Sequence, residues 1–150
     1  MAAFNKFNLF TDKLCGGTHV FGTNIIKCAL YVAGAPTPPL ATDALYAATL
    51  TGGAAEVASG NGYTTTGNSG GASIKSNATG TETVRTTSAI PVWTASAAGF
   101  SLRYVVGYDG TATNKDLIGW WDFGSTLTLS GANGDTFTVT GLDTSVFTLV

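Results

Sequence analysis

The side chains with the chemistry for nucleophilic catalysis or zinc binding are few: one histidine, His19, and two cysteines, Cys15 and Cys28. A catalytic serine would need that histidine together with a carboxylate, but no acidic residue stands near His19 in the sequence, and no G-x-S-x-G segment occurs. A tetrahedral zinc site needs four ligands, and these residues supply at most three. We therefore expect His19 to be a packing or surface residue. We expect the cysteines to be separate, largely buried thiols, with a disulfide between them as the alternative.

Two carboxylates flank an aromatic segment and raise the question of sugar cleavage. Asp116 and Asp122 stand six residues apart around Trp120 and Trp121. On one strand they would face the same side but lie roughly 20 Å apart, beyond either glycosidase geometry. We expect Asp116 to cap a turn and Asp122 to make a local hydrogen bond at a strand end. The sequence therefore predicts a non-enzymatic protein with no cofactor and no metal.

Charge is scarce along the whole chain. Only 11% of the 150 residues are charged, against roughly 25% in typical soluble domains. The seven Lys and Arg residues are scattered, and the net charge is −2, which disfavours direct binding of nucleic acid. No stretch approaches the roughly 20 apolar residues of a membrane span, so no membrane association is expected. Such a surface favours contacts with neighbouring protein subunits.

Short segments with a two-residue period, separated by glycine-rich turns, dominate the second half of the chain. Phe100, Leu102, Tyr104, Val106 and Tyr108 alternate with other residues, which is typical of a strand. The predicted fold is all-β: a single domain, 1–150, forming an antiparallel β-sandwich or barrel with a short N-terminal helix. Further strands are predicted at 24–32, 81–93 (broken or bulged at Pro91), 117–123 and 146–150, with a hairpin of 126–129 and 136–140 around Asn133-Gly134.

Three segments depart from this strand pattern. The near-helical spacing of apolar residues within 1–15 predicts an amphipathic helix from about residue 3 to 14, either a lid on the core or a docking element. A short helical turn is predicted at 43–50, after a proline loop around Pro36. The Gly/Thr/Ser-rich segment 51–80 is predicted to be an extended, ordered loop or an edge strand.

Three stretches carry a resemblance to a known group of proteins. They are Phe4-Asn5-Lys6-Phe7-Asn8, Asn61-Gly62-Tyr63-Thr64 and, most specifically, Thr113-Asn114-Lys115-Asp116-Leu117-Ile118-Gly119-Trp120-Trp121-Asp122-Phe123-Gly124-Ser125. With them, the chain resembles small proteins encoded among tailed-phage structural genes. The resemblance implies a component of the virion and transfers no catalytic residue.

The expected function is a capsid decoration or cement protein that stabilises the phage head, in the virion, after assembly in the host cytoplasm. Its expected partners are the major capsid protein and further copies of itself, as a homo-oligomer such as a trimer. One alternative is a tail, neck or baseplate component that contacts tail proteins. Another is a carbohydrate- or receptor-binding module that presents Trp93, Trp120, Trp121 and Tyr108. The candidate interface residues are Phe4, Phe7, Phe10, Tyr63, Trp120, Trp121 and Phe147.

Overall fold

One antiparallel sheet of seven strands forms the body of the protein, with a separate sheet of two strands beside it. A computed structural model describes residues 4–32, 39–50, 53–78, 80–87, 91–142 and 145–149. The elements are β1 (Phe4–Lys6), α1 (Leu9–Cys15), β2 (Ile25–Tyr31), β3 (Asn68–Ala78), β4 (Thr81–Thr86), β5 (Val92–Thr94), β6 (Phe100–Asp109), β7 (Leu117–Leu129), β8 (Thr136–Thr138) and β9 (Phe147–Leu149). The prediction of an all-β antiparallel fold with a short helix is confirmed.

The large sheet curls until its two edge strands face one another. Its order is β1-β7-β6-β2-β3-β4-β9, so β1 and β9 are the edges. The Phe4 ring of β1 stacks on the Phe147 ring of β9 with centroids 6.3 Å apart, and it meets the Trp121 ring at 5.3 Å. In the described part of the chain no backbone ladder joins β1 to β9. The sheet is therefore a nearly closed barrel, and aromatic side chains fill the seam between its edges.

The sheet buries apolar side chains on both of its faces. The barrel interior holds one cluster, to which α1 contributes Phe10. A second cluster lies on the outer face of β2, β6 and β7, beneath the segment that contains Leu50 and Ala54. The pairing of β6 with β7 shifts between Leu102 and Tyr104, so Leu102 joins the inner cluster and Tyr104 the outer one. A bulge thus breaks the regular alternation predicted for β6.

The N-terminal helix begins later in the chain than predicted. Residues Phe4–Lys6 form strand β1, which pairs with β7, and the helix covers only Leu9–Cys15. In a strand, residues three apart face opposite sides of the sheet. Phe4 accordingly packs in the interior against Trp121, while Phe7 packs on the outer face against Trp120, with ring centroids 4.7 Å apart. Residues 1–3 and the proline loop around Pro36 lie outside the described residues, as does Val150.

One prediction for the middle of the chain is wrong, and another is confirmed in part. Residues 43–50 form no helical turn; isolated bridges at Leu45 and Thr49 hold them instead. Within 51–80, residues 53–67 form a loop, as predicted, whereas β3 lies between β2 and β4 and is not an edge strand. Its small residues suit that position, because the buried Ser73 hydroxyl accepts a hydrogen bond from the Gly22 N–H and donates one to a backbone carbonyl.

The predicted strand 81–93 and the predicted hairpin of 126–129 with 136–140 both differ in the structure. The segment 81–93 divides into β4 and β5, which lie in different sheets. The predicted hairpin is not formed: 126–129 belongs to β7 and pairs with β6, whereas β8 pairs with β5. Packing explains why β8 pairs with β5 and not with β7, because the ring centroids of Phe137 in β8 and Trp93 in β5 lie 6.0 Å apart.

Two opposed glycines in β6 and β7 lead to a graded stability test. A Cβ at Gly119 would lie 2.3 Å from the Phe4 ring, whereas a Cβ at its partner Gly107 would meet the Trp121 ring at 3.4 Å, near ordinary contact. We expect Gly119→Ala to lower the free energy of unfolding by about 1–3 kcal/mol, the usual cost of overpacking. Gly107→Ala is the matched control and should cost clearly less. Urea unfolding of both variants checks this, and equal costs would contradict the packing of Phe4 on Gly119.

Candidate functional site

Most of the predicted interface residues belong to the core. Four of the seven are buried, and their side chains offer no free surface in this fold: Phe7, Phe10, Tyr63 and Phe147. The other three, Phe4, Trp120 and Trp121, are partly buried. Because the burial of these residues is already explained by the barrel and its outer layer, the accessible site has to be sought elsewhere.

The four aromatics proposed for sugar stacking do not form an exposed platform. Trp120 and Trp121 face opposite sides of β7, as their adjacency predicts, since Trp121 joins the inner cluster and Trp120 the outer one. Trp93 and Tyr108 are buried. Among the described residues, Phe123 is the most exposed aromatic side chain, with 38% of its surface accessible to solvent.

His19 has an acidic partner that its sequence neighbourhood does not reveal. Its Nδ1 lies 3.1 Å from Oδ2 of Asp109, 90 positions away, and the Asn24 amide donates to the same oxygen at 2.6 Å. Burial would raise the pKa of Asp109, but these hydrogen bonds and two from backbone N–H groups hold it below its usual value. In the described part of the chain, Nε2 of His19 is buried and has no hydrogen-bond partner, so no hydroxyl or thiol there is held for activation. The pair fastens β6 to the segment before β2.

Glu56 is the second buried polar centre. It accepts hydrogen bonds from the hydroxyl groups of Tyr46 and Tyr63, the latter at 2.6 Å, and from the Thr66 N–H at 2.7 Å. The Tyr63 hydroxyl also accepts from the Leu30 N–H at 3.0 Å. These bonds attach the segment around Glu56 to β2, so the centre is structural.

The remaining reactive groups are separate from one another. Cys15 is exposed, contrary to the prediction, while Cys28 is buried, and both are free. Burial raises the pKa of the Cys28 thiol to about 12, which keeps it protonated and unreactive at neutral pH. The described ranges contain no group of three or more His, Cys, Asp or Glu side chains able to hold a metal ion. No described helix has the length and apolar character needed to cross a membrane.

A bulge in the middle of β7 is accessible to solvent. Leu127 pairs with Leu102 and Asp122 with Tyr104, so the residues between Asp122 and Leu127 have no ladder partner on β6. Residues 123–126 are all exposed, and Gly124 has a φ of +79°, a conformation that favours glycine. Strand bulges of this kind re-aim side chains at barrel rims. Here the bulge presents Phe123 to the solvent.

An ion pair braces the base of this bulge. Asp122 accepts two hydrogen bonds from Arg103, at 2.8 and 3.0 Å, and one from the Gly124 N–H at 2.7 Å. The Arg103 hydrogen bond is the main reason why the pKa of Asp122 lies below its usual value. Asp122 makes the predicted local hydrogen bond, with the Gly124 N–H, but it also pairs across the sheet with Arg103 and lies inside β7, not at a strand end as predicted. Asp116, predicted to cap a turn, is buried and forms an ion pair with Lys13 of α1 at 3.1 Å.

A small apolar cleft lies beside the bulge. It has a volume of about 180 Å³. Trp121 and Phe123 form one wall, and residues that follow β8 form the other. The described residues that line the cleft are Val105, Trp121, Phe123, Thr138, Val139, Thr140, Gly141, Leu142 and Ser145. None of these described lining residues carries a charge. Small-molecule sites usually measure about 300–1,000 Å³, so this cleft suits a single inserted side chain better than a cofactor.

No family model, curated protein or solved structure matches the chain. The function must therefore be inferred from the site and the sequence alone. The bulge and its cleft supply an exposed aromatic ring, an apolar hollow and several hydroxyl groups. This arrangement offers shape and apolar contact, and its described lining residues include no acid–base pair. Sequence patterns missed it because a bulge depends on the register of two strands, which local alternation does not encode.

The tyrosines around Glu56 lead to a prediction for alkaline pH. Burial first, and then Glu56, raises the pKa of Tyr63 and Tyr46 well above the usual value of about 10. Because the folded state holds these protons more tightly, their stabilising effect is complete below pH 10 or so and is lost as the pH rises above that. We expect the free energy of unfolding to fall above pH 10, by up to about 1.4 kcal/mol per pH unit for each such tyrosine.

Tyr63→Phe supplies the control for this pH dependence. The variant should be less stable at neutral pH, since the Leu30 N–H and Glu56 lose a partner. Its stability should nevertheless fall less steeply above pH 10 than that of the parent protein. Urea unfolding from pH 7 to 11 measures both slopes. Identical slopes would show that Tyr63 does not keep its proton in the folded state.

Proposed function

We propose that this chain is a non-enzymatic structural component of a tailed-phage particle, acting as a capsid decoration or cement protein. The observation that carries the proposal is an apolar cleft of single-side-chain size, with no charge among its described lining residues, beside a bulge with an exposed aromatic ring. Such a site suits contact with another protein subunit, where anchoring side chains fill small pockets.

The placement of the acidic side chains supports this proposal. Most of them brace the fold by accepting hydrogen bonds from the protein's own groups: Asp43, Glu56, Asp109, Asp122 and Asp135. Asp43 accepts from the Leu40 N–H at 2.8 Å, and Asp135 from the Ser130 N–H at 2.8 Å. Carboxylates used in this way order loops at the surface of the barrel, which suits a rigid building block.

The segment that carries the resemblance to phage structural proteins contributes side chains to both apolar clusters of the fold. Within Thr113–Ser125, Leu117 and Ile118 are buried, one in the outer and one in the inner cluster. Gly119 leaves room for the Phe4 ring, and Trp120 packs on Phe7. The motif thus holds the N-terminal strand on the barrel, and this use is consistent with a family defined by its fold rather than by a reaction.

The proposed partners are the major capsid protein and further copies of this chain, in a virion assembled in the host cytoplasm. Direct contact with nucleic acid or a membrane forms no part of the proposal. A place in the tail, neck or baseplate would use the same cleft and bulge, and it remains the alternative location. The carbohydrate- or receptor-binding alternative is less well supported, because Trp93 and Tyr108 are buried.

Cosedimentation tests the proposed location. Purified protein is mixed with empty expanded capsids and, separately, with isolated tails of the phage that encodes the chain. We expect saturable binding to capsids at a fixed copy ratio and none to tails. Binding to tails alone would move the protein to the alternative location. Binding to neither would contradict a structural role in the particle.

A further inference from the structure

We propose that Asn61 is a site of spontaneous deamidation, and that the fold directs this reaction to Asn61 in preference to Asn133. Both side chains are exposed, and both stand before a glycine, in Asn61-Gly62 and Asn133-Gly134. A glycine lacks the Cβ that would otherwise obstruct the approach of its backbone nitrogen to the preceding side chain. This reactivity is a property of the chain itself and is independent of the proposed function.

The reaction needs only the chain and water. The backbone nitrogen of Gly62 forms a bond to the side-chain Cγ of Asn61 and loses its proton, while the side-chain amide group leaves with that proton as ammonia. The resulting five-membered succinimide then takes up one water molecule, which breaks one of the two C–N bonds of the ring. Cleavage at one carbonyl gives aspartate. Cleavage at the other gives isoaspartate, in which the main chain continues through the side-chain carbons.

The two glycine nitrogens differ in their hydrogen bonding. The Gly134 N–H donates to the Gly131 carbonyl across a turn, with the nitrogen and oxygen 3.2 Å apart. Gly62 lies in a turn that two backbone hydrogen bonds between Gly60 and Tyr63 close, and among the described residues its own N–H has no acceptor. A nitrogen whose proton is held by a carbonyl must break that hydrogen bond before it can attack. The attack by Gly62 is therefore less costly.

The turn that contains Asn61 has no room for a longer main chain. Gly62 lies so close to β5 that a Cβ on it would be 1.9 Å from the Thr94 carbonyl oxygen. Isoaspartate adds one carbon to the main chain between Gly60 and Tyr63, which the two backbone hydrogen bonds hold together. Because the Tyr63 hydroxyl in turn ties this segment to β2, the isoaspartate form should be less stable than the unmodified protein.

Two variants separate the modification from its consequence. Asn61→Gly removes the side-chain amide and suits the φ of +53° at this position, so it should abolish conversion there and leave Asn133 unchanged. Asn61→Asp reproduces the aspartate product without lengthening the main chain. Its urea midpoint should stay near that of the parent protein, whereas the isoaspartate form, purified from aged protein, should unfold at a lower urea concentration. An isoaspartate form as stable as Asn61→Asp would overturn the consequence inferred for the turn.

Peptide mapping of protein aged at mildly alkaline pH tests the site itself, with mass spectrometry that distinguishes aspartate from isoaspartate. In the folded protein we expect Asn61 to be converted about fivefold faster than Asn133, the factor that corresponds to one backbone hydrogen bond. In protein unfolded by guanidinium chloride the two rates should become similar, because both sequences are Asn-Gly.

The comparison of the folded with the unfolded protein decides the outcome. A preference for Asn61 that disappears on unfolding would establish that the fold directs the reaction. Equal rates in the folded protein, a faster reaction at Asn133, or no conversion of Asn61 in the folded protein would overturn the proposal.

Discussion

The seam between β1 and β9 is the constraint on which the rest of this structure depends. Seven strands curl far enough to bring the two edges together, and in the described part of the chain side chains, with no backbone ladder, fill the remaining gap. Phe4 lies at the centre of this packing, against Trp121 on one side and Phe147 on the other. Aromatic rings bury a large apolar area and tolerate tilted arrangements, so they can close a gap whose width does not fit a ladder. The interior cluster is thereby shielded without a fully closed barrel.

The seam also accounts for the accessible site. Among the described residues, β1 pairs with β7 from Gly119 to Trp121, and after Asp122 β7 leaves its regular pairing with β6. The Trp121 side chain therefore contacts Phe4 in the seam and also lines the cleft. The cleft is thus bordered by the same ring that packs in the seam.

The sequence predicted the fold class correctly because glycine-rich turns and a two-residue period are local signals. It also predicted that Trp120 and Trp121 face opposite sides, which follows from strand geometry alone. It failed for Phe4, whose spacing from Phe7 and Phe10 resembles a helix, since pairing with β7 overrides local periodicity. The partners His19 and Asp109, and the bulge after Asp122, depend on contacts between distant strands. No pattern within a short window encodes them.

The central claim is that side-chain packing closes the barrel. Nuclear Overhauser effects between assigned ring protons of Phe4 and Phe147 test it most directly, together with backbone effects between β1 and β9. The account predicts strong contacts between the two rings and to Trp121, with no pattern of backbone contacts typical of a β ladder. Absence of the Phe4–Phe147 contacts, or a backbone ladder between the two edges, would contradict it.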